Sequence, residues 1–319
     1  MAIPPPAVYN HNQAKLSRQK GTNTVERQVV EGGLSAATSY AIVTPSWAPD
    51  FERCRLLAES VRRHLPEGVH HYILIDRCDK SLFACLEGSR THLILKQDVL
   101  PKWLIHVPRR RKWWISLKGL PVRGWIIQQL AKLSVNKAVV ADVYIFVDSD
   151  AFFMRDYDPA STIVDGKLPL FRQQKEEVRV AWNIRWHQVA ARLLGLEPRD
   201  SYDTSYVGHA MYWKRENLEK LQARIQEVTG KPWISAVARQ LYLSEYVLYG
   251  VFVEHILGDS SGQYFRSSEE SLNYWSESPI DEAGLRELKS NIAPNVSLVM
   301  VSAKAPVSVE AIRRVFLSD

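Results

Sequence analysis

The chain has few cysteines and no long apolar run. Only three of its 319 residues are cysteine, and Cys54, Cys78 and Cys85 lack the spacing of a metal site or a redox pair. This odd, scattered set predicts reduced thiols in a cytoplasmic protein. No stretch approaches the roughly 18 consecutive apolar residues of a membrane-spanning helix. The first six residues lack the basic-then-apolar pattern of a signal peptide, and no internal repeat is present.

The composition is that of a soluble globular protein, with 46% hydrophobic and 24% charged residues. Residues 1–37 are rich in Pro, Asn, Gln, Ser, Thr and Gly and show no periodicity, which predicts a flexible N-terminal arm. Residues 38–319 are then expected to form a single domain with a substantial core.

Basic residues and tryptophans are concentrated in one segment, 102–125. It contains Lys102, Arg109, Arg110, Arg111, Lys112, Lys118 and Arg123 together with Trp103, Trp113, Trp114 and Trp125. Such a segment suits an anionic membrane surface, single-stranded nucleic acid, or a solvated loop over buried tryptophans. Because no nucleic-acid-binding motif accompanies it, we predict no nucleic-acid partner. Peripheral contact with the inner face of the membrane and a solvated loop stay open as the two alternatives.

The first half of the chain alternates strands and helices. Apolar runs at 40–43, 71–75, 91–95 and 143–147 predict strands, and periodic segments at 51–65, 80–86 and 121–135 predict helices. This order is typical of an α/β fold with a mostly parallel sheet and helices on both faces. The segment 101–118 is expected to be an insertion.

The second half is less regular. We predict strands at 177–180, 210–213 and 297–301, helices at 186–194, 215–229, 236–257, 281–290 and 309–316, and a polar loop over 258–280.

The strand at 143–147 ends in two carboxylates, Asp148 and Asp150, separated by Ser149. Because an unpaired carboxylate is costly to bury, both are expected where the strand leaves the sheet, at the edge where α/β proteins bind ligands. Their oxygens would suit Mg²⁺ or Mn²⁺, which could hold a substrate diphosphate. The alternative is an ordinary acidic turn.

Polar residues in two helices are further candidates. Gln128, Gln129 and Lys132 lie on adjoining faces of one helix and could bind a sugar hydroxyl and a phosphate, or form an ordinary polar face. Glu245, beside Tyr246, lies among apolar and aromatic residues that would raise its pKa by desolvation, as a catalytic base requires. Its alternatives are a helix cap after Ser244 or a pair with an arginine.

Three positions are expected to line a cleft for the acceptor or sugar: Tyr246, His209 and Trp182. His209 immediately precedes a predicted strand, and Trp182 lies in an aromatic patch that could stack on a sugar face or pack in the core.

Taken together, these residues resemble a glycosyltransferase of the GT-A fold. Residues 41–45 look like its opening nucleotide-binding strand, and Asp148–Ser149–Asp150 looks like its Asp-x-Asp metal motif. The blocks at 124–133 and 244–250 are similar to those of a bacterial family of uncharacterised glycosyltransferases, over about residues 38–303.

The resemblance implies a Rossmann-type GT-A domain, a nucleotide-sugar donor and a bound Mn²⁺ or Mg²⁺. Asp150 would be the main metal ligand, with Asp148 nearer the ribose or sugar and Asp76 at the base. The donor site would also include Thr44, Pro45, Arg77, Ser149, Gln128, Gln129 and Lys132. GT-A enzymes often take a histidine ligand near the chain's end, where this sequence has Lys304, which could instead balance diphosphate charge.

The predicted function is therefore metal-dependent transfer of a hexosyl or deoxyhexosyl group to a glycan or lipid-linked acceptor, in surface polysaccharide synthesis. Two alternatives are kept: an Asp-x-Asp phosphohydrolase and a non-catalytic nucleotide- or sugar-binding protein.

Overall fold

A computed structural model describes residues 38–107, 113–174, 180–267 and 271–317. Several predictions lie outside these ranges: the arm at 1–37, most of the strand at 177–180, and the cations Arg109, Arg110, Arg111 and Lys112.

The described ranges contain the following regular elements. The strands are β1 (Tyr40–Pro45), β2 (His70–Ile75), β3 (Thr91–Leu95), β4 (Leu104–His106), β5 (Trp113–Ser116), β6 (Val122–Arg123), β7 (Val143–Phe146), β8 (Ala151–Phe153), β9 (Leu168–Phe171), β10 (Gln173–Gln174), β11 (Thr204–Ser205), β12 (Met211–Lys214), β13 (Gln263–Arg266), β14 (Ser271–Tyr274) and β15 (Leu298–Val301). The α-helices are α1 (Phe51–His64), α2 (Lys80–Phe83), α3 (Lys96–Val99), α4 (Gly124–Leu133), α5 (Ala181–Leu194), α6 (Arg215–Thr229), α7 (Trp233–Ala238), α8 (Glu245–Phe252), α9 (Glu282–Ser290) and α10 (Val309–Phe316). Within these ranges, no helix has the length and apolar character needed to cross a membrane.

The central sheet has the strand order β12-β7-β1-β2-β3. β7, β1, β2 and β3 are parallel, whereas β12 runs antiparallel to β7 at one edge. The predicted α/β class with a mostly parallel sheet is confirmed. The arrangement is compatible with a Rossmann-like fold.

Helices cover both faces of this sheet, as the continuous apolar run of β7 predicts. Tyr144 and Phe146 belong to one core cluster, which includes residues of α4, α5, α6 and α8. Val143 and Ile145 belong to a second cluster, which includes Leu57 of α1. Successive side chains of a strand point to opposite faces, so one strand supplies both cores.

A second, three-stranded sheet has the order β14-β15-β8. β15 is antiparallel to β8, with Met300 opposite Ala151. Because β8 begins directly after Asp150, this pairing brings the end of β15 next to the two aspartates. The segment after β15 is therefore part of the same region of the fold.

Two sequence-based assignments are wrong. The predicted helix at 236–257 is interrupted: α7 ends at Ala238, and α8 begins at Glu245 before continuing as a π-helix over Val253–Leu257. The Ser244 side chain accepts a hydrogen bond from the Val247 N–H and so caps a new helix. The predicted polar loop at 258–280 contains β13 and β14, because long-range pairing with β9 and β15 decides their conformation.

Candidate active site

Polar side chains gather at the carboxyl edge of the central sheet. β7 ends at Phe146, and Asp148 and Asp150 follow within four residues. The parallel strands β1 and β2 end at the same edge, so the segments after Pro45 and Ile75 lie on that side too. This is the edge where open α/β sheets bind ligands.

Lys132 is the centre of a buried cluster of charges. Its ammonium Nζ lies 2.8 Å from Glu245 Oε1 and 3.3 Å from Asp148 Oδ1. It also donates a hydrogen bond of 2.8 Å to the Tyr246 hydroxyl. Burial alone would lower the pKa of Lys132, but the charges of Asp148 and Glu245 raise it well above its usual value. The lysine is therefore held as a cation inside the protein.

Gln129 connects this cluster to the start of α8. Its Oε1 accepts a hydrogen bond of 2.6 Å from the backbone N–H of Glu245. Gln129 and Lys132 are three residues apart on α4 and so share one helix face. Both are buried, whereas Gln128 is partly exposed. The predicted grouping thus holds for Gln129 and Lys132, and no described contact joins Gln128 to it.

Glu245 is buried, as its prediction assumed, but it also has a cationic partner. The sequence suggested a carboxylate desolvated by aromatic neighbours, whereas the structure gives it a cationic partner, Lys132. Its side chain is 4% exposed. The sequence left open a pair with an arginine; the partner is instead a lysine, which comes from another helix.

The two aspartates of the motif differ electrostatically. Burial raises the pKa of Asp148, but the charges of Lys132 and His209 outweigh it and hold this pKa below its usual value. For Asp150, burial and the neighbouring charge of Asp148 raise the pKa. Asp150 Oδ2 accepts a hydrogen bond of 3.0 Å from the Ala303 backbone N–H. Asp148 is thus a stable anion, and Asp150 lacks a neutralising partner of comparable strength.

His209 lies beside both aspartates. Met211 pairs with Phe146, so the chain before Met211 runs past the end of β7, and the charge of His209 acts on both aspartates. Ala210, between His209 and Met211, has a positive φ of 51°, a conformation that costs free energy outside glycine. His209 is only 7% exposed, and neither ring nitrogen has a hydrogen-bond partner in the described part of the chain.

Two residues that the sequence analysis missed belong to this region. Asp50 Oδ2 accepts hydrogen bonds from Trp47 Nε1 at 2.6 Å and from Ser149 Oγ at 3.5 Å, and burial raises the Asp50 pKa. Arg53 Nη1 donates to the Val301 carbonyl at 2.7 Å, and its charge acts on Asp150. Both lie at the start of α1, directly after β1, so their position at the sheet edge was a usable signal.

The residues expected at the nucleotide have other partners. Thr44 Oγ1 is hydrogen-bonded to His71 Nε2 at 2.9 Å, and both side chains are fully buried. Asp76 Oδ2 lies 3.3 Å from Lys96 Nζ, while its Oδ1 is buried without a hydrogen-bond partner among the described residues. Arg77 pairs with Asp98 at 3.1 Å on the surface. Asp76 therefore keeps an available acceptor at the sheet edge.

Two predicted residues are not brought to the cluster by any described contact. Lys304 Nζ lies 2.8 Å from Glu277 Oε1, and both side chains are more than half exposed. Trp182 contacts Trp186, with ring centroids 4.4 Å apart.

The region combines an excess of anions with an available imidazole. Asp50, Asp148, Asp150 and Glu245 are set against two permanent cations, Lys132 and Arg53. Across the described ranges, no three His, Cys, Asp or Glu residues are already arranged as a metal-binding group. A cation bound here would therefore need ligands beyond a preformed group of these side chains in the described ranges.

Comparison with known proteins places the chain in a family. No curated protein matches this sequence. One family model does match, over residues 35–269, which is more than half of the chain. The matched range contains every predicted site residue except Lys304. The chain belongs to DUF6492, a family of unknown function.

Proposed function

We propose that the protein is a metal-dependent glycosyltransferase with a GT-A-like fold. It would transfer a sugar from a nucleotide-sugar donor to a glycan or lipid-linked acceptor in the synthesis of surface polysaccharide. The observation that carries the proposal is the position of Asp148 and Asp150 directly after the central strand β7, with β12 antiparallel beside it.

The donor set at this position fits a divalent ion. Asp148 and Asp150 each use one carboxylate oxygen in a described hydrogen bond or ion pair, and His209 has two buried ring nitrogens without a hydrogen-bond partner there. Mg²⁺ is commonly held by one or two carboxylates plus substrate phosphates rather than by a complete protein cage. Asp150 and Asp148 would hold Mn²⁺ or Mg²⁺ together with substrate phosphates, and the ion would neutralise charge on the departing diphosphate.

The remaining residues position this donor set. Lys132 keeps Asp148 ionised and fixes its carboxylate, Glu245 and Tyr246 hold Lys132, and Gln129 anchors the backbone of Glu245. Glu245 stays the predicted catalytic base. Its ion pair with Lys132 adds a positioning role. Glu245→Gln should therefore lower the pKa of Lys132 as well as impair proton transfer.

The position opposite Asp150 is taken by the backbone after β15. The Ala303 N–H contacts Asp150, whereas the Lys304 side chain extends to Glu277. In the proposal, this segment therefore supplies no third side-chain ligand, and His209, which precedes β12, lies near the two carboxylates. Tyr246 and Trp182 remain proposed contributors to the acceptor side.

The test is an assay of nucleotide release from a panel of nucleotide sugars in the presence of Mn²⁺ or Mg²⁺. We expect release by the unmodified protein and at least about 100-fold less by Asp150→Asn, since metal stabilisation of the transition state contributes several kcal/mol. Asp156→Asn is the matched control, because the Asp156 side chain is 95% exposed and contacts His64 on the surface. Unfolding curves establish that both variants fold.

Other results would contradict the proposal. Phosphate release from substrates without a sugar nucleotide would indicate a phosphohydrolase that uses Asp148 as nucleophile. Tight nucleotide-sugar binding with no release would indicate a binding protein. Full turnover by Asp150→Asn would contradict the assignment of Asp150 as a metal ligand.

A further inference from the structure

The small sheet β4-β5-β6 exposes apolar side chains on its outer face. In the antiparallel register, Ile105 lies opposite Ile115, and Trp113 lies opposite Arg123. Residues directly opposite in a sheet share a face. Ile105, Trp113 and Ile115 are 42%, 46% and 47% exposed, respectively. The outer face is thus apolar, with a cation at its edge.

Side chains on the inner face of the same sheet pack in the core. Leu104, Trp114 and Val122 are 4%, 1% and 3% exposed and belong to the large core cluster. An antiparallel sheet that packs on one side normally presents polar residues on the other. Packing of the domain therefore does not explain why Ile105, Ile115 and Trp113 are apolar.

The apolar surface continues beyond the sheet. Leu117 and Leu120, in the connection between β5 and β6, are 69% and 84% exposed. Leu241, between α7 and α8, is 64% exposed and lines the same cleft as Leu120, a cavity of about 310 Å³. Several exposed apolar side chains on neighbouring segments mark an interaction site.

The charge around this surface has one sign. Residues 101–125 contain seven Lys or Arg residues, and no Asp or Glu occurs between Asp98 and Asp142. The whole chain has a formal net charge of +6, so the remainder is close to neutral. Lys102 and Lys118 are exposed, and Lys118 Nζ lies 5.3 Å from the centre of the Trp103 ring. The surface therefore combines aliphatic, aromatic and cationic groups.

We infer that the outer face of β4-β5-β6, with Leu117 and Leu120, docks on an anionic lipid bilayer. Tryptophan is favoured at the headgroup level, aliphatic side chains gain free energy by entering the acyl boundary, and cations bind anionic headgroups. Stacking on nucleic acid would use Trp113 but would leave Ile105 and Ile115 without a favourable contact. Two copies of the chain would bring like charges together, which disfavours a homodimer through this face.

This inference is independent of the proposed catalytic activity, and its test uses no turnover. The full chain is mixed with phosphatidylcholine vesicles, with or without phosphatidylglycerol, and floated on a density gradient. We expect binding to the anionic vesicles, decreasing as salt is added because surface charges are screened within about 10 Å at 0.1 M ionic strength.

Two sets of substitutions separate the apolar and cationic contributions. Lys102→Ser/Lys118→Ser/Arg123→Ser should weaken partitioning roughly 100-fold at low salt, since each cation near an anionic surface contributes about fivefold. Ile105→Ser/Ile115→Ser should weaken it by at least about tenfold at every salt concentration.

Matched controls lie elsewhere on the surface. Lys80→Ser/Arg192→Ser/Lys231→Ser removes three exposed cations, and Val140→Ser removes an apolar side chain that is 86% exposed. We expect both controls to bind vesicles as the unmodified protein does. Unfolding curves confirm that all variants are folded.

Three results would overturn the inference. Equal vesicle binding by the variants and the controls would show that this surface is a solvated region that does not dock on lipid. Binding of single-stranded nucleic acid that depends on Trp113, without vesicle binding, would assign it to nucleic acid. A concentration-dependent dimer lost in Ile105→Ser/Ile115→Ser would assign it to a second copy.

Discussion

Two regions of the protein depart in opposite ways from the usual distribution of polar and apolar groups. Around Lys132, charged side chains lie in the interior, with both Lys132 and Glu245 having side chains only 4% exposed. On β4-β5-β6, apolar side chains such as Trp113 lie at the surface. Each arrangement costs free energy in the isolated chain, so each indicates something other than folding stability.

The difference lies in how each region is compensated. The buried charges have partners within the chain, because Lys132 contacts Asp148, Glu245 and Tyr246. The exposed apolar residues have no such compensation among the described residues. The first region is therefore internally preorganised, whereas the second is the one for which we propose a partner surface outside the protein.

Removing the cation at the centre of the first region should have the largest effect. Lys132→Met leaves Asp148 and Glu245 without their buried partner and should lower the free energy of unfolding by as much as about 5 kcal/mol. Urea unfolding measures this. Lys220→Met, which removes an exposed cation paired with Glu216, should change stability by less than about 1 kcal/mol. Equal effects of the two substitutions would show that the Lys132 cluster is not a buried charge network.

Substitutions of adjacent tryptophans compare the two faces of β5. Trp114→Ala should lower the free energy of unfolding by about 3 kcal/mol, because it creates a cavity in the core. Trp113→Ala should change it by less than about 1 kcal/mol, since that ring is 46% exposed. The readout is again the urea midpoint. A large loss of stability in Trp113→Ala would mean that its outer face is packed against the protein.

The buried imidazole of His71 has no carboxylate partner within the described ranges, in contrast to buried Lys132, and this difference should appear in the pH dependence of stability. Burial lowers the pKa of His71 to about 3, whereas an unfolded histidine titrates near about 6.5. Below about pH 6.5 the unfolded chain binds the proton and the folded chain does not, so stability falls as the pH decreases. Between about pH 7 and about pH 5 this linkage should lower the free energy of unfolding by about 2 kcal/mol.

His71→Gln should remove that part of the acid dependence, because Gln keeps a polar group towards Thr44 but does not titrate. The measurement is urea unfolding of both proteins at the two pH values. His187, whose pKa burial lowers to about 4, acts as a common background in both. An unchanged pH dependence in His71→Gln would show that His71 is not neutral and buried in the folded protein.

Local patterns predicted the elements that depend on nearby residues. The apolar run before Asp148 became a strand that is buried on both faces, and the helix stripe at Leu57 and Val61 packs on the sheet as expected. The break before Glu245 was missed. The apolar sequence there continues, and only the side-chain cap from Ser244 starts a new helix. The strands in 258–280 were missed because their pairing partners are distant in sequence. β13 pairs with β9, which lies far before it, and β14 pairs with β15, which follows it.

By itself, the sequence determined the alternation of strands and helices, the carboxylates at the end of β7, and the concentration of cations in 101–125. These properties follow from the order of side chains along short segments. Only the tertiary structure decided that Lys132 is a cation between Asp148 and Glu245, that His209 lies near both aspartates, and that Ile105 and Ile115 share an exposed face. Each of these contacts joins residues on different elements, so strand register and helix packing set them, and no local periodicity encodes them.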